Sequence, residues 1–174
     1  MKTVVVSYSL TGNNNALAAS IASELSAEHV KITELKPRTM GTIALNVLFN
    51  RTPKVNLPEA GINDYDFVIL AGPVWMGQAA SPLRSHLKKL NAFSGKYAFV
   101  SISGGADGPN PKLEQELIKR TGKNPAAVID LHIAGILPAE PKPQRKDTSK
   151  YILKEEDVKK LTDTALAELK KCAV

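Results

Sequence analysis

The sequence predicts one α/β domain over residues 1–174, a three-layer α/β/α sandwich around a five-stranded parallel sheet in the order 2-1-3-4-5. Three observations support this prediction. Short β-branched runs alternate along the chain with stretches whose apolar residues are spaced by three and four. Two of the runs are apolar throughout, as central strands are, and two others alternate between apolar and polar residues, as edge strands do.

The candidate strands are Thr3–Tyr8, Val30–Leu35, Phe67–Gly72, Tyr97–Ser103 and Val128–Ile133. The first and third runs have the apolar centres typical of strands buried on both faces. The second and fifth runs alternate, which predicts that they lie at the two edges. This arrangement places the third strand beside the first and opens a crevice between their carboxyl ends.

Four helices are predicted from apolar stripes: Leu17, Ile21 and Leu25; Leu83, Leu87 and Leu90; Leu113 and Leu117; and Val158, Leu161, Ala165 and Leu169. Two segments fit the scheme less simply. Met40–Asn50 is apolar nearly all round, which indicates either a helix covered by the following loop Arg51–Asp64 or a surface for a homodimer or a substrate. Pro138–Lys154, rich in Pro, Lys and Arg, is interpreted as an extended connector, either solvated or a docking patch for an acidic partner.

Composition excludes several classes of protein. The single cysteine, Cys172, allows no internal disulfide and no four-cysteine metal site, so we expect a reduced, cytoplasmic protein without a metal site. No apolar run approaches the roughly 20 residues of a transmembrane helix. The net charge of +6 favours acidic partners, but the few aromatic residues and the absence of an RNP-like motif argue against nucleic acid.

The loop after the first strand has the composition of a phosphate site. Ser7–Asn15 contains hydroxyls, a glycine and short amides at the start of a predicted helix, where backbone N–H groups lack partners within the helix. Because Thr3–Ser23 contains no charged side chain, neutral dipoles would hold the anion. The alternative is that Thr11 or Asn13 only caps the helix. Neither GxGxxG nor GxxxxGK[ST] occurs, which argues against dinucleotide and triphosphate loops.

Two further loops follow neighbouring strands at the same end of the sheet. Ala71–Gln78 contains Trp75, the only tryptophan, which either stacks on a flat ring or packs over the sheet edge. Ser101–Pro109 contains three glycines and Asp107, a composition that allows a ligand to approach the backbone closely.

The chain resembles the flavodoxin family over nearly its whole length, and the motifs that carry the resemblance lie in these loops. Tyr8–Asn14 is similar to the family's Y-S-x-T-G-N-T phosphate loop, and Tyr65–Trp75 to its Y-D-x-(apolar)-G-x-P-x-W segment. Ser103-Gly104-Gly105 stands in the place of the third flavin loop. Asn14 occupies a position where the family usually has Thr, whose hydroxyl its amide N–H₂ could replace as a donor.

The resemblance implies FMN as cofactor. It implies that the ribityl phosphate is held by Ser9, Leu10, Thr11, Gly12, Asn13 and Asn14. It implies that Pro73, Val74, Trp75, Met76 and Gly77 flank the isoalloxazine ring, with Trp75 stacking on it. Ser103, Gly104, Gly105 and Asp107 would face the other ring edge.

The function that follows is an FMN-dependent oxidoreductase that passes reducing equivalents from NAD(P)H to a quinone or similar acceptor. The alternatives are an electron-transfer protein that serves a redox partner protein, and a flavin-free scaffold of the same fold. The positive charge favours the enzyme, because electron-carrier flavodoxins have acidic patches. No catalytic side chain is nominated: His29, His86 and His132 lie outside the three loops and are interpreted as structural.

Overall fold

A computed structural model describes residues 1–35, 39–56 and 61–172. Its strands are β1 (Thr3–Ser7), β2 (Glu28–Lys31), β3 (Thr33–Glu34), β4 (Val55–Asn56), β5 (Phe67–Ala71), β6 (Val74–Trp75), β7 (Gln78–Ala79), β8 (Lys96–Ser103) and β9 (Ala127–His132). Its α-helices are α1 (Asn13–Glu24), α2 (Met40–Leu48), α3 (Arg84–Lys89), α4 (Leu113–Thr121), α5 (Arg145–Thr148) and α6 (Glu155–Cys172). Short 3₁₀ turns flank α3 and follow β9.

The main sheet confirms the predicted fold class. Its strands run parallel in the order β2-β1-β5-β8-β9, which is 2-1-3-4-5 when only the strands of this sheet are numbered. Val4 lies opposite Val68, and Leu70 lies opposite Phe99, so the apolar runs occupy the centre as predicted. The carboxyl ends of β1, β5 and β8 therefore lie side by side.

Alternate residues of these strands bury two separate layers of core, as the two-residue period of a strand requires. On one face, Val6 and Val68 pack with Leu83, Leu87 and Leu117 of the α3 and α4 region. On the opposite face, the residues packed with α1 and α6 are Val5, Ile69, Val100, Leu17, Ile21, Leu161 and Leu169. Among the described residues, no helix has the length and apolarity needed to cross a membrane.

The second strand was predicted too late in the chain. It covers Glu28–Lys31 rather than Val30–Leu35, and Thr33–Glu34 instead pairs antiparallel with Val55–Asn56. The cause lies in the neighbouring strand, since β1 ends at Ser7, which is the partner of Lys31. After Lys31 the chain has no residue of β1 beside it, so the backbone of β3 pairs with β4 instead.

Helix α2 is only partly covered. Ile43 and Val47 are buried, whereas Leu45, Leu48 and Phe49 are 48%, 75% and 58% exposed. The loop predicted to cover this helix includes residues 57–60, which lie outside the described part of the chain. A homodimer or substrate surface at this helix stays a prediction.

The segment Pro138–Lys154 was predicted to be an extended connector, but part of it is helical. It forms the one-turn helix α5, which begins after a capping box in which the Gln144 backbone N–H donates to Asp147 Oδ2 at 2.9 Å. Thr148 of this turn is buried. The segment therefore packs on the protein at this turn.

Candidate cofactor site

A cavity of about 510 Å³ lies at the carboxyl ends of the central strands. Residues of all three predicted loops line it: Leu10, Thr11, Asn13, Asn14, Pro73, Val74, Trp75, Met76, Gly77, Ser103, Gly104, Gly105 and Asp107. Of the fifteen residues singled out from the sequence, only Ser9 and Gly12 are not among the lining residues. Within the described residues, no group of three His, Cys, Asp or Glu side chains could hold a metal ion.

The loop between β1 and α1 is organised around Ser9. Its Oγ accepts hydrogen bonds from the backbone N–H groups of Gly12, at 2.9 Å, and Asn14, at 3.2 Å. Gly12 precedes α1 with a φ of 96°, a backbone conformation that favours glycine. In the described part of the chain, the N–H groups of Thr11 and Asn13 have no hydrogen-bond acceptor. These two groups remain to bind an anion at the helix N-terminus.

The two asparagines of this loop tie it to the rest of the fold. Asn13 Nδ2 donates to the Tyr151 carbonyl at 2.8 Å, and its Oδ1 accepts from the Leu153 N–H at 3.0 Å. Asn14 makes the same pair of contacts with Ile102, at 2.8 and 3.0 Å. One N–H of the Asn14 amide is therefore committed to Ile102, which leaves the other for a ligand.

A neutral polar cluster supports the loop from below. Ser7 Oγ donates to Asn15 Oδ1 at 2.9 Å and lies 2.8 Å from His29 Nε2. Burial, together with the neighbouring Lys31, lowers the pKa of His29 from its usual 6.5. The imidazole is thus held neutral near pH 7, so dipoles rather than a full charge support this loop from below.

The second loop is a β-hairpin. Val74 pairs with Ala79 and Trp75 with Gln78, and the connecting residues Met76 and Gly77 have φ values of 52° and 75°. Positive φ at both positions is typical of a type I′ turn, whose twist suits a two-residue hairpin. The Trp75 ring meets the Tyr8 ring edge-on, with centroids 5.9 Å apart, and the Tyr8 hydroxyl donates to Glu34 at 2.7 Å. This packing fixes Trp75 as a wall of the cavity.

The third loop is held by two polar residues of β9. Asp130 Oδ2 accepts from the backbone and side-chain nitrogens of Asn110, at 3.2 and 2.9 Å, and lies 3.0 Å from His132 Nε2. Gly105, with a φ of 70°, packs directly on His132. His132 does not line the cavity but positions the loop that does, which agrees with its interpretation as a structural residue.

Sequence reasoning missed the contribution of α5. Arg145, Thr148 and Ser149 line the cavity, and Arg145 Nε donates to Asp107 Oδ2 at 2.8 Å. A side chain at Gly104 would approach the Thr148 hydroxyl to 2.9 Å, so the turn lies directly against the third loop. The basic composition of this segment was visible in the sequence, but its position beside a loop some 40 residues earlier was not.

Comparisons with known proteins agree with this geometry. No family model and no curated protein matches the chain. A solved flavoprotein of Lactobacillus acidophilus NCFM, in complex with FMN, is similar at 23% identity over 74% of this chain and 92% of its own, with a TM-score of 0.66. A Bacteroides eggerthii DSM 20697 protein, provisionally called a flavoprotein, is similar at 16% identity over 99% of this chain and 98% of its own, with a TM-score of 0.67. Together with the sheet order, these similarities identify the chain as a protein with the flavodoxin-like fold of flavoproteins.

Proposed function

We propose that this protein binds FMN and acts as an oxidoreductase that passes reducing equivalents from NAD(P)H to a quinone or a similar acceptor. The observation that carries the proposal is the cavity of about 510 Å³ into which all three candidate loops converge. Its volume is in the range of pockets for small cofactors. The similar protein of Lactobacillus acidophilus was solved with FMN.

The first loop fits a phosphate group. The N–H groups of Thr11 and Asn13, which have no acceptor among the described residues, lie at the start of α1, where the helix dipole favours an anion. The hydroxyl of Ser9 accepts two N–H groups and keeps its own hydrogen to donate. Thr11 is exposed and supplies a second hydroxyl. These residues bind the phosphate through neutral donors alone.

The other two loops fit a flat ring. Trp75 is partly exposed in the cavity wall while Tyr8 supports its ring edge-on. Gly104 and Gly105 bring the backbone of the third loop to the cavity without side chains in between. FMN, when bound, supplies the redox chemistry, and the protein supplies orientation and exclusion of water.

One observation favours a second candidate function, electron transfer to an acidic partner protein. The α5 turn brings Arg145 to the cavity, and Lys142, Lys146 and Lys150 are exposed in the same segment. Such a basic surface beside a cofactor favours the approach of an acidic partner.

A visible spectrum, followed by addition of NADH and then NADPH without oxygen, tests both candidates. A yellow protein that bleaches promptly with either nucleotide supports the oxidoreductase. A yellow protein that stays oxidised supports the carrier. A colourless protein that also fails to bind added FMN contradicts both.

Trp75→Ala is expected to weaken FMN binding by about 1–3 kcal/mol, because the ring loses its contact area and stacking partner. Fluorescence titration of FMN into the protein without cofactor measures the change. Phe49→Ala removes an aromatic ring that is exposed and does not line the cavity, and it should leave the affinity unchanged. Equal affinities of wild type and Trp75→Ala would contradict the stacking role.

Thr11→Ala is expected to weaken FMN more than riboflavin, because only FMN carries the phosphate that the Thr11 hydroxyl would bind. The loss for FMN should be about 1.5–3 kcal/mol, the scale of one hydrogen bond to a charged group. The same titration with both ligands measures the difference. If the two ligands lose affinity equally, the phosphate is bound elsewhere.

A further inference from the structure

The segment between β9 and α6 borders the candidate cofactor site and is mostly exposed, although the chain is anchored on both sides of it. The anchoring residues pack on the core beside α1 and α6: Ile136, Leu137, Tyr151 and Leu153. Of residues 138–150, all of which the structure describes, Thr148 is buried, Pro143 is half-buried and the others are exposed. We call residues 138–150, which include α5, the lid.

The lid contacts the third loop at Arg145 and at Thr148. Arg145 Nε donates to Asp107 Oδ2 at 2.8 Å, but both side chains are exposed, at 82% and 69%, so this ion pair contributes little to stability. Thr148 lies so close to Gly104 that a Cβ at Gly104 would be 2.9 Å from the Thr148 hydroxyl oxygen. Because so little of the lid is buried, it is expected to open at a low cost in free energy.

The anchor at the carboxyl end of the lid is tied to the first loop. The Asn13 amide of that loop donates to the Tyr151 carbonyl at 2.8 Å and accepts from the Leu153 N–H at 3.0 Å. Ser149 precedes Tyr151 by two residues, which span at most about 7 Å. Ser149 therefore lies near the first loop, whereas Arg145 lies at the third, and both line the cavity. The lid thus borders the cavity from one loop to the other.

We infer that the lid is a fourth cofactor-binding segment, which contacts FMN through Arg145 and Ser149 and is held closed by the bound cofactor. This inference rests on the FMN binding proposed above. With the lid closed, a ligand in the cavity contacts the lid as well as the three loops, whereas an open lid leaves it only the loops. Because a ligand shifts the population toward the conformation that it binds better, FMN binding and lid closure should favour each other.

Limited proteolysis of the full chain with trypsin tests the inference. Lys146 and Lys150 are exposed in the lid, and Lys54 is an exposed control site that does not line the cavity. At low trypsin concentration, the cleavage rate follows the population of the open form. With FMN at about 100 times its dissociation constant, cleavage after Lys146 and Lys150 should slow at least tenfold, the limit being about 100-fold for a ligand that binds only the closed form. Cleavage after Lys54 should slow less than about twofold, because it does not require the lid to open.

Two variants of α5 distinguish the contacts of the lid from its charge. Arg145→Gln and Lys146→Gln each remove one positive charge, but Arg145, unlike Lys146, lines the cavity and binds Asp107. Arg145→Gln should raise the dissociation constant of FMN about fivefold, the scale of one exposed ion pair. Cleavage after Lys150 at the same FMN concentration should then be about fivefold faster. Lys146→Gln, the matched control, should change the dissociation constant less than about twofold.

The outcomes distinguish the lid from the proposed function. Saturable FMN binding in a fluorescence titration, without protection of Lys146 and Lys150 from trypsin, would contradict the lid and leave FMN binding standing. Equal protection at Lys54 would indicate only a general stabilisation by the cofactor and would overturn the inference. Equal dissociation constants for wild type and Arg145→Gln would exclude Arg145 from the binding segment. The absence of FMN binding would contradict both proposals.

Discussion

Asn14→Ala is expected to lower the free energy of unfolding by about 2–5 kcal/mol, because it leaves two buried backbone groups without a hydrogen-bond partner. Strand β5 ends at Ala71, and the Gly72 N–H makes the last hydrogen bond to β8, at Val100. Beyond it, the N–H and carbonyl of Ile102 have the Asn14 amide as their partner. The side chain thus replaces a missing strand, and urea unfolding measures its contribution.

Asn13→Ala is the matched control for this prediction. Asn13 also donates one hydrogen bond to a carbonyl and accepts one from a backbone N–H, but its partners Tyr151 and Leu153 are only half-buried. Water can replace the lost partner there, so the expected loss is about 1–2 kcal/mol. A loss in Asn14→Ala no larger than that in Asn13→Ala would contradict the strand-replacement role.

Gly105→Ala is expected to cost about 2–5 kcal/mol of folding stability and to lower FMN affinity. At a φ of 70° an alanine is strained by about 1–2 kcal/mol. In addition, its Cβ would lie 2.3 Å from Cβ of His132, so the third loop or the end of β9 must move. Thermal unfolding measures the stability, and a fluorescence titration measures the affinity for FMN.

Gly108→Ala is the control for Gly105→Ala, because it introduces backbone strain without a steric clash. Gly108 also has a positive φ, of 92°, but an added Cβ would meet no atom within 4 Å. Only the strain of about 1–2 kcal/mol is expected at that position. If the two variants lose equal stability, the close approach of Gly105 to His132 contributes nothing to the loss in Gly105→Ala.

The sequence was sufficient to predict the main sheet. Val4, Val5 and Val6 lie in a strand buried on both faces, and the alternating residues of β9 lie at an edge, as their patterns indicated. The spacing of apolar residues within one segment indicates which of its faces is buried, so burial can be predicted for each segment separately. The second strand was misplaced because its end depends on where its neighbour β1 stops.

The candidate site was predictable as a set of loops but not as a set of contacts. Loops that follow parallel strands share one end of the sheet, so the strand order alone predicted that Thr11, Trp75 and Gly104 line one cavity. The resemblance placed Asn14 at the phosphate, yet its amide oxygen and one amide hydrogen bind the backbone of β8. That role depends on the end of β5, which no feature of the first loop reveals.

By itself, the sequence determined the order of the main sheet, the three loops at its carboxyl edge and their likeness to flavodoxins. Only the tertiary structure decided that α5 borders the candidate cofactor cavity and that Arg84 and Arg120 meet at Gln78. The reason is physical. Apolar periodicity acts within one element, whereas hydrogen bonds between distant elements depend on the distances and directions that packing sets.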